Sequence, residues 1–529
     1  MSGDRQRAFW VIAVALLLLT RLPAVPHYLS IDNVSLAFSL EHFDPLNHQP
    51  QPPGYPFFVG FARVVKLAVG SAETSFIVIA LIVSGLCLPL TILLGARMFS
   101  PRAGQTAALL LLFNPVFWHA GLDGPLRPNL ALFSLGVAYC AWRAWNGEAR
   151  WVLWGAAVLG VGSGVRPDLL AYLGPLWLIS AIVGTRSVWV TAQGAAVLAS
   201  IVAVWIGILA HAVGGVWALV TLIRDYLVTQ SQGESLLLGA GEAGWGHQVN
   251  RLVTWNALAV IGWAWAAPFA ILSRTRLRLR NPRVPFLFIW LVPGLVFQAL
   301  VHVANPGHTL FSVPVFCLIG GYAIWAASEY LTAEPQRLAE GALGGALVVN
   351  LLLFLNFFSL PVAAGRFVTA VTVGVYESSL GDLRGLEDVH RTTVSEWKAL
   401  SEVPRPSVIV TTDEAPQRWF MHWLMLRYYA PKSDIWVLAA KRTPRQVLLV
   451  RRNDTLSTRT GDVIDVPVPA GGRILWVLES RGPFETALER TIKIEKRVRL
   501  SYTDLAPDAA PFQVLNFRFV PTMPSALAP

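Results

Sequence analysis

The chain has 529 residues, 54% of them hydrophobic and only 14% charged, with 21 tryptophans and a mean hydropathy of +0.52. A soluble protein carries roughly 25% charged residues, so this composition excludes an ordinary soluble enzyme, and apolar runs of near-spanning length place the chain in a bilayer. The net charge of +10 does not require nucleic acid, because most of the excess basic residues border apolar runs, where membrane topology accounts for them.

At the N-terminus MSGDRQR precedes an apolar run over 9–19. The charged and apolar regions, with PAV as a loose cleavage site, have the shape of a signal peptide. The reading adopted is a retained helix over 9–25, with Arg21 snorkelling at the outer surface. Either way residue 31 is delivered outside.

Next comes IDNVSLAFSLEHFDPLNHQPQPPGYP at 31–56, polar and stiffened by proline, with Asp32, Asp44, His48 and Tyr55. A connector needs no such length or acidity. Asp32 has two readings: a general base or ligand-orienting carboxylate, or the N-cap of a helix starting near Asn33. VSLAFSLEHF and PFFVGFARVVKLAVG are expected as short amphipathic helices. Arg63 and Lys66 share one face of the second, which suits a helix in the headgroup plane or a shallow re-entrant segment.

Further spans are expected at 75–96, 103–119, 129–145, 151–165, 169–185, 188–212, 251–273, 284–303, 309–328 and 340–360. With the first, they make about eleven. Arginine-rich RTRLRLRNPR at 274–283 belongs in the cytoplasm, as do Arg97 with Arg102, Arg143 with Arg150, and Arg186. The N-terminus is then cytoplasmic and the chain leaves the last span outside. Outer loops fall at 26–74, 120–128, 166–168, 214–249 and 304–308.

Several of these loops carry chemistry. Asp123, with His119 and Arg127 nearby, is either a second acid or a turn residue in Asp-Gly-Pro. Arg166 in GVRPD is an anion clamp or an interfacial anchor. His302 and His308 border NPGHTLF, where a histidine serves as a hydrogen-bonding residue or a ligand. The glycine-rich 233–248, with Glu234, Glu242 and His247, reads as a mobile lid or a connector. Cys87, Cys140 and Cys317 lie inside apolar runs and are expected to pack rather than to bridge. No metal-cage spacing occurs; Asp32 and Asp123 could share a divalent ion, but the reading needs no cofactor.

Beyond 361 the chain turns charged and alternating. SVIVTTDEA, SDIWVLAA, RQVLLVRR and GRILWVLES read as strands and QRWFMHWLMLRYYAP as a helix stopped by Pro431. This order predicts an α/β domain over 361–529, extracytoplasmic, with a partly parallel sheet.

An early Asp in a first outer loop, two surface helices and HQPQPPGYP resemble the GT-C superfamily of polyprenyl-phosphate-sugar glycosyltransferases. The resemblance is closest to the protein mannosyltransferase and aminoarabinose transferase-like branch. FNPVFW, GVRP and PGHTLF with SVPVFCLI also look like that group, and the likeness covers 1–360. It implies an α-helical polytopic membrane protein, a lipid-linked sugar donor, a polyprenyl phosphate leaving group, and transfer on the non-cytoplasmic side. Asp32 matches the catalytic carboxylate; Asp123 matches by loop and approximate place. Asn33 stands where many members have Glu, and Gln51 where some have a basic residue. Arg166 and His308 are expected on the donor phosphate and Arg63 and Lys66 on the lipid headgroup. His48 and Tyr55 complete the substrate-binding set. The acceptor, whether protein, lipid or glycan, is left open. The alternatives are a transporter or flippase, which needs mid-membrane polar groups, and a non-catalytic membrane scaffold.

Overall fold

The structure is a computed structural model and describes residues 3–235, 244–273, 281–301, 305–357, 374–401, 405–412, 423–441, 447–452, 455–460, 463–478 and 482–522. It divides into two units, Met1–Pro26 with Leu36–Arg384, and His27–Ser35 with Gly385–Pro529.

The larger unit is helical. Its elements are α1 (Gly3–Arg21), α2 (Ile31–Glu41, whose first turn belongs to the smaller unit), α3 (Pro56–Val69), α4 (Ala72–Met98), α5 (Pro101–Leu112) and α6 (Pro115–Asp123). They continue with α7 (Pro128–Trp145), α8 (Arg150–Val165), α9 (Leu169–Thr185), α10 (Val188–Ala212) and α11 (Val216–Glu234). The rest are α12 (Gly244–Ala257), α13 (Ala266–Leu272), α14 (Arg283–Leu300), α15 (Val313–Leu331) and α16 (Pro335–Phe354). Helices α4, α10, α14, α15 and α16 are long and apolar enough to cross a bilayer, and Phe9–Ala24, α8 and α9 are shorter apolar helices. The chain is a polytopic α-helical membrane protein.

Side-chain caps and prolines set the helix starts. Ser71, Ser100 and Ser187 accept the amides of Thr74, Ala103 and Val190 at 3.1, 3.2 and 3.3 Å. Pro101, Pro115 and Pro128 occupy first turns, where a missing N–H costs nothing. Short links join α4 to α5, α7 to α8 and α9 to α10 at one end of the bundle, here the Arg97 end. Links from α6 to α7, α8 to α9 and α10 to α11 lie at the other, the Arg166 end.

Two expected spans are interrupted. The run 103–119 breaks between α5 and α6 because Asn114 caps α6, accepting from the Phe117 amide at 3.1 Å, and Pro115 follows it. The run 251–273 breaks between α12 and α13. There the Asn114 amide donates to the Leu258 carbonyl at 3.1 Å, and the Trp263 indole takes the Ala259 carbonyl at 2.8 Å. One asparagine thus punctuates both. The three cysteines are buried thiols. Of the arginine-rich 274–283, residues 274–280 lie outside the described residues, as do 236–243 of the expected lid.

In the smaller unit, β1 (Ser407–Thr412), β2 (Asp434–Lys441), β3 (Val447–Arg452), β4 (Thr455–Thr460), β6 (Arg473–Val477), β7 (Glu495–Lys496) and β8 (Ser501–Asp504) form one sheet, ordered β4-β3-β2-β1-β6-β8-β7. Within this sheet β1 pairs in parallel with β2 and β6, and the other described pairings are antiparallel. A second sheet, β5-β10-β9, comprises β5 (Ile464–Pro469), β9 (Phe512–Val514) and β10 (Phe517–Thr522). Helices α17 (Leu380–Ser401, from Gly385 on), α18 (Trp423–Tyr429) and α19 (Pro483–Thr491) complete it. Trp476, Phe484 and Phe519 centre its core. Segment 27–35 is held here by the Tyr429 hydroxyl, which accepts from the Leu29 amide at 2.7 Å, and by Glu387, which accepts from the His27 amide at 3.4 Å.

Candidate active site

The Arg166 end is assembled from three separate stretches of chain. Helix α8 closes on Arg166, whose backbone turns extended (φ −146°, ψ 106°) while its amide still bonds Gly162 O at 2.7 Å. Pro167 ends the helix, and the guanidinium folds onto Asp168 in a two-point pair, Nε to Oδ1 at 3.3 Å and Nη2 to Oδ2 at 2.9 Å. Burial works against that cation, but the Asp168 carboxylate outweighs it and holds the pKa above the ordinary arginine value. A fixed, almost buried positive charge results, which is what an anionic phosphate requires.

Tyr55 arrives from the first loop. Gly54 has φ +111°, and a Cβ there would come within 2.5 Å of the Leu209 side chain on α10, so glycine is needed on both counts. Behind it, the Phe57 ring lies against Gly164, at the end of α8.

The third stretch is a 3₁₀ helix, Pro306–Phe311, capped by Asn305, which accepts from the Gly307 amide at 2.8 Å. The Gln298 amide donates to the His308 carbonyl at 2.5 Å and also acts on the Tyr172 hydroxyl, tying this turn to the Arg166 cluster. Arg127 lies against Gly307, where a Cβ would sit 2.5 Å from its Cδ, and pairs with Asp123 one turn earlier in sequence. Both side chains of that pair are nearly buried. On α6, buried His119 Nε2 stands 3.1 Å from Asp382 Oδ2.

Of the residues expected at a site, Tyr55, Asp123, Arg166 and His308 therefore belong to one contiguous network at one end of the helical unit. The others are placed differently. Asp32 lies in the first turn of α2, within the smaller unit by its contacts. The N-cap alternative is corrected: the Ser30 carbonyl accepts the Val34 amide at 2.9 Å, so Ser30 occupies the cap position and Asp32 is inside the helix. A carboxylate there is favoured by the helix dipole. Asn33 beside it is buried. Asp44 accepts from the amides of Leu46 and Asn47 at 3.1 and 3.4 Å as a turn cap, and His48 takes a left-handed conformation (φ 57°) closing that turn. Arg63 donates to the carbonyls of Leu40 and Ser39 at 3.0 and 2.8 Å, and Lys66 pairs with Glu41. Both cations thereby fasten α3 to the last turn of α2. His302 lies outside the described residues.

Gln298, Tyr172 and Asp382 were not anticipated. Gln298 had a legible signal, a lone amide in the apolar run VPGLVFQAL. Asp382 had none, since it lies 263 positions from His119.

The chain aligns with the crystal structure of ArnT from Cupriavidus metallidurans bound to undecaprenyl phosphate. The match covers 95% of this chain and 98% of that one, with a TM-score of 0.58 at 14% identity. The fold is a GT-C fold. The apo form of the same ArnT aligns over the same shares, with a TM-score of 0.56 at 15% identity. No protein-family model matches the chain, and no curated protein matches it. Within this GT-C fold, the turns after α6 and α8 and the Pro306–Phe311 helix carry the charged network, while the spans between them are apolar.

Proposed function

We propose that the chain is a membrane glycosyltransferase that moves a sugar from a polyprenyl-phosphate donor to an acceptor on the non-cytoplasmic face. The observation that carries this reading is the fixed, buried Arg166 cation in a fold shared with an ArnT that binds undecaprenyl phosphate. In this reading the Arg166 end and the smaller unit face outward, and the Arg97 end faces the cytoplasm.

An acceptor hydroxyl attacks the anomeric carbon, and the bond from that carbon to the phosphate oxygen breaks. Its electron pair leaves on polyprenyl phosphate, which needs no proton to depart. The acceptor's proton passes to Asp32 as general base. Arg166 and the His308 turn offset the phosphate charge, with Asp168 fixing the guanidinium. Tyr55 beside Arg166, and His48 at the turn preceding it, complete the donor-binding set. Asp123 orients Arg127 and the α6–α7 turn as the second acidic group. Arg63 and Lys66 position α2 and direct their remaining N–H groups to the lipid headgroup. A single displacement of this kind inverts the anomeric centre.

The test is release of polyprenyl phosphate when the purified protein meets a panel of polyprenyl-phosphate sugars. Asp32→Asn is expected to lower the rate by roughly 10²–10⁴-fold. An unchanged rate in a folded variant removes Asp32 from the base role.

A further inference from the structure

The Arg97 end carries cations of a different kind. Arg97 lies over the Tyr139 ring at 5.7 Å, Arg102 over Trp325 at 5.1 Å, Arg150 over Trp151 at 5.7 Å and Arg283 over Phe99 at 5.8 Å. Arg186 is exposed at the end of α9. Among the described residues, no carboxylate stands within ion-pair distance of any of these five. The nearby Glu148 pairs with Arg143 and accepts from the Trp151 indole at 3.2 Å. Two indoles at the same end are exposed, Trp154 at 60% one turn into α8 and Trp189 at 72% in the first turn of α10, with Val188 beside it at 86%. Exposed tryptophans next to apolar side chains at helix ends mark the depth of the lipid headgroups.

We propose that this arginine-on-aromatic belt is a binding surface for anionic phospholipid headgroups of the adjoining leaflet. A ring beside Arg97, Arg102, Arg150 and Arg283 limits the movement of those four guanidiniums and leaves in-plane N–H groups for a phosphate oxygen, while Arg186 adds an exposed charge. The choice of lipid follows from charge. A phosphodiester with an uncharged headgroup carries net −1, whereas a choline headgroup cancels that charge beside the belt. The surface therefore selects phosphatidylglycerol over phosphatidylcholine. It stands apart from the transfer reaction and does not depend on it.

The test reconstitutes the full chain with spin-labelled phosphatidylglycerol or phosphatidylcholine and compares the motionally restricted lipid. Wild type is expected to favour phosphatidylglycerol, with roughly fivefold in affinity lost for each arginine neutralised. The variant R97Q/R102Q/R150Q/R283Q should lose most of that preference, and raising salt from about 0.1 to about 1 M should erode the wild-type preference. If the quadruple variant does not fold, R102Q and R186Q singly, each losing part of the preference, decide the matter. Equal retention by wild type, a salt-independent preference, or variants that keep the full wild-type preference would each overturn the proposal.

Discussion

Two sets of arginines, one at each end of the helical unit, are seated in different ways, although Arg143 and Arg337 at the Arg97 end pair with glutamates. At the Arg166 end, Arg127 and Arg166 meet aspartates, Lys66 meets a glutamate and Arg63 meets carbonyls. At the Arg97 end, Arg97, Arg102, Arg150 and Arg283 meet rings. A paired, buried guanidinium is held at one point and stays charged, which serves a site that must receive an anion in a defined place. A guanidinium over a ring near the surface keeps its hydrogen-bonding edge and its net charge, which serves a diffuse anionic surface. The same residue type thus does two jobs, distinguished by what it packs against.

The largest expected effect tests the fixed seat. Arg166→Ala should lower polyprenyl phosphate release by roughly 10²–10³-fold. Arg166→Lys should recover little of it, because an ammonium lacks the two-point fork that engages Asp168. Full recovery by lysine would show that a point charge is enough. Next, Asp123→Asn leaves Arg127 nearly buried without its charge partner and should cost about 3–5 kcal/mol in detergent unfolding. The double variant Asp123→Asn/Arg127→Gln should regain most of that.

Acid separates seats built on carboxylates from those built on rings, and the smaller unit offers groups to follow. Burial pushes the His390 pKa down from 6.5 to about 4. Between those values the unfolded chain binds more protons, so stability should fade as pH falls through that interval, and His390→Gln should flatten the slope. Further into acid, Asp504 is held below the ordinary aspartate range by its two-point bond from Arg473, at 2.6 and 2.9 Å. Its contribution is present above the ordinary range and is lost as pH falls through the lowered value. Hydrogen exchange of the β6–β8 region should show this step, and Arg473→Gln should shrink it to the share that Arg405, 3.4 Å from Asp504, supplies. The smallest effect belongs to the ring seats. Arg102→Gln should change stability by about 1 kcal/mol or less. A loss as large as that of Asp123→Asn would erase the contrast between the two ends.

Much of the helical architecture was legible because its signals are local. Apolar length marked α4, α7, α8, α9 and α10 to within a few residues. The breaks at Asn114 and after Ala257 were missed because hydropathy stays high across them, and the donor that interrupts the second lies in α6's cap. Asp123, Arg166 and His308 stood out as polar residues in short turns between apolar runs, and Asp32 as an acid in the long first outer loop. Tyr172 and Gln298, inside spans, were overlooked, and the engagement of Arg63 and Lys66 with α2 was not foreseen.

The sequence by itself determined the solvent of this protein, the course of most helices and the turns in which charge is concentrated, since each depends on residues a few positions apart. Arg166 and Arg127 find their aspartates two and four positions away, within reach of a local reading. Only the tertiary structure decided the distant partners, because the rings beside Arg97, Arg102 and Arg283 and the carbonyls that hold Arg63 come from helices that approach across tens to hundreds of residues. Neither hydropathy nor spacing encodes that approach; side-chain shape does, as at Gly307, where the missing Cβ lets Arg127 lie flat.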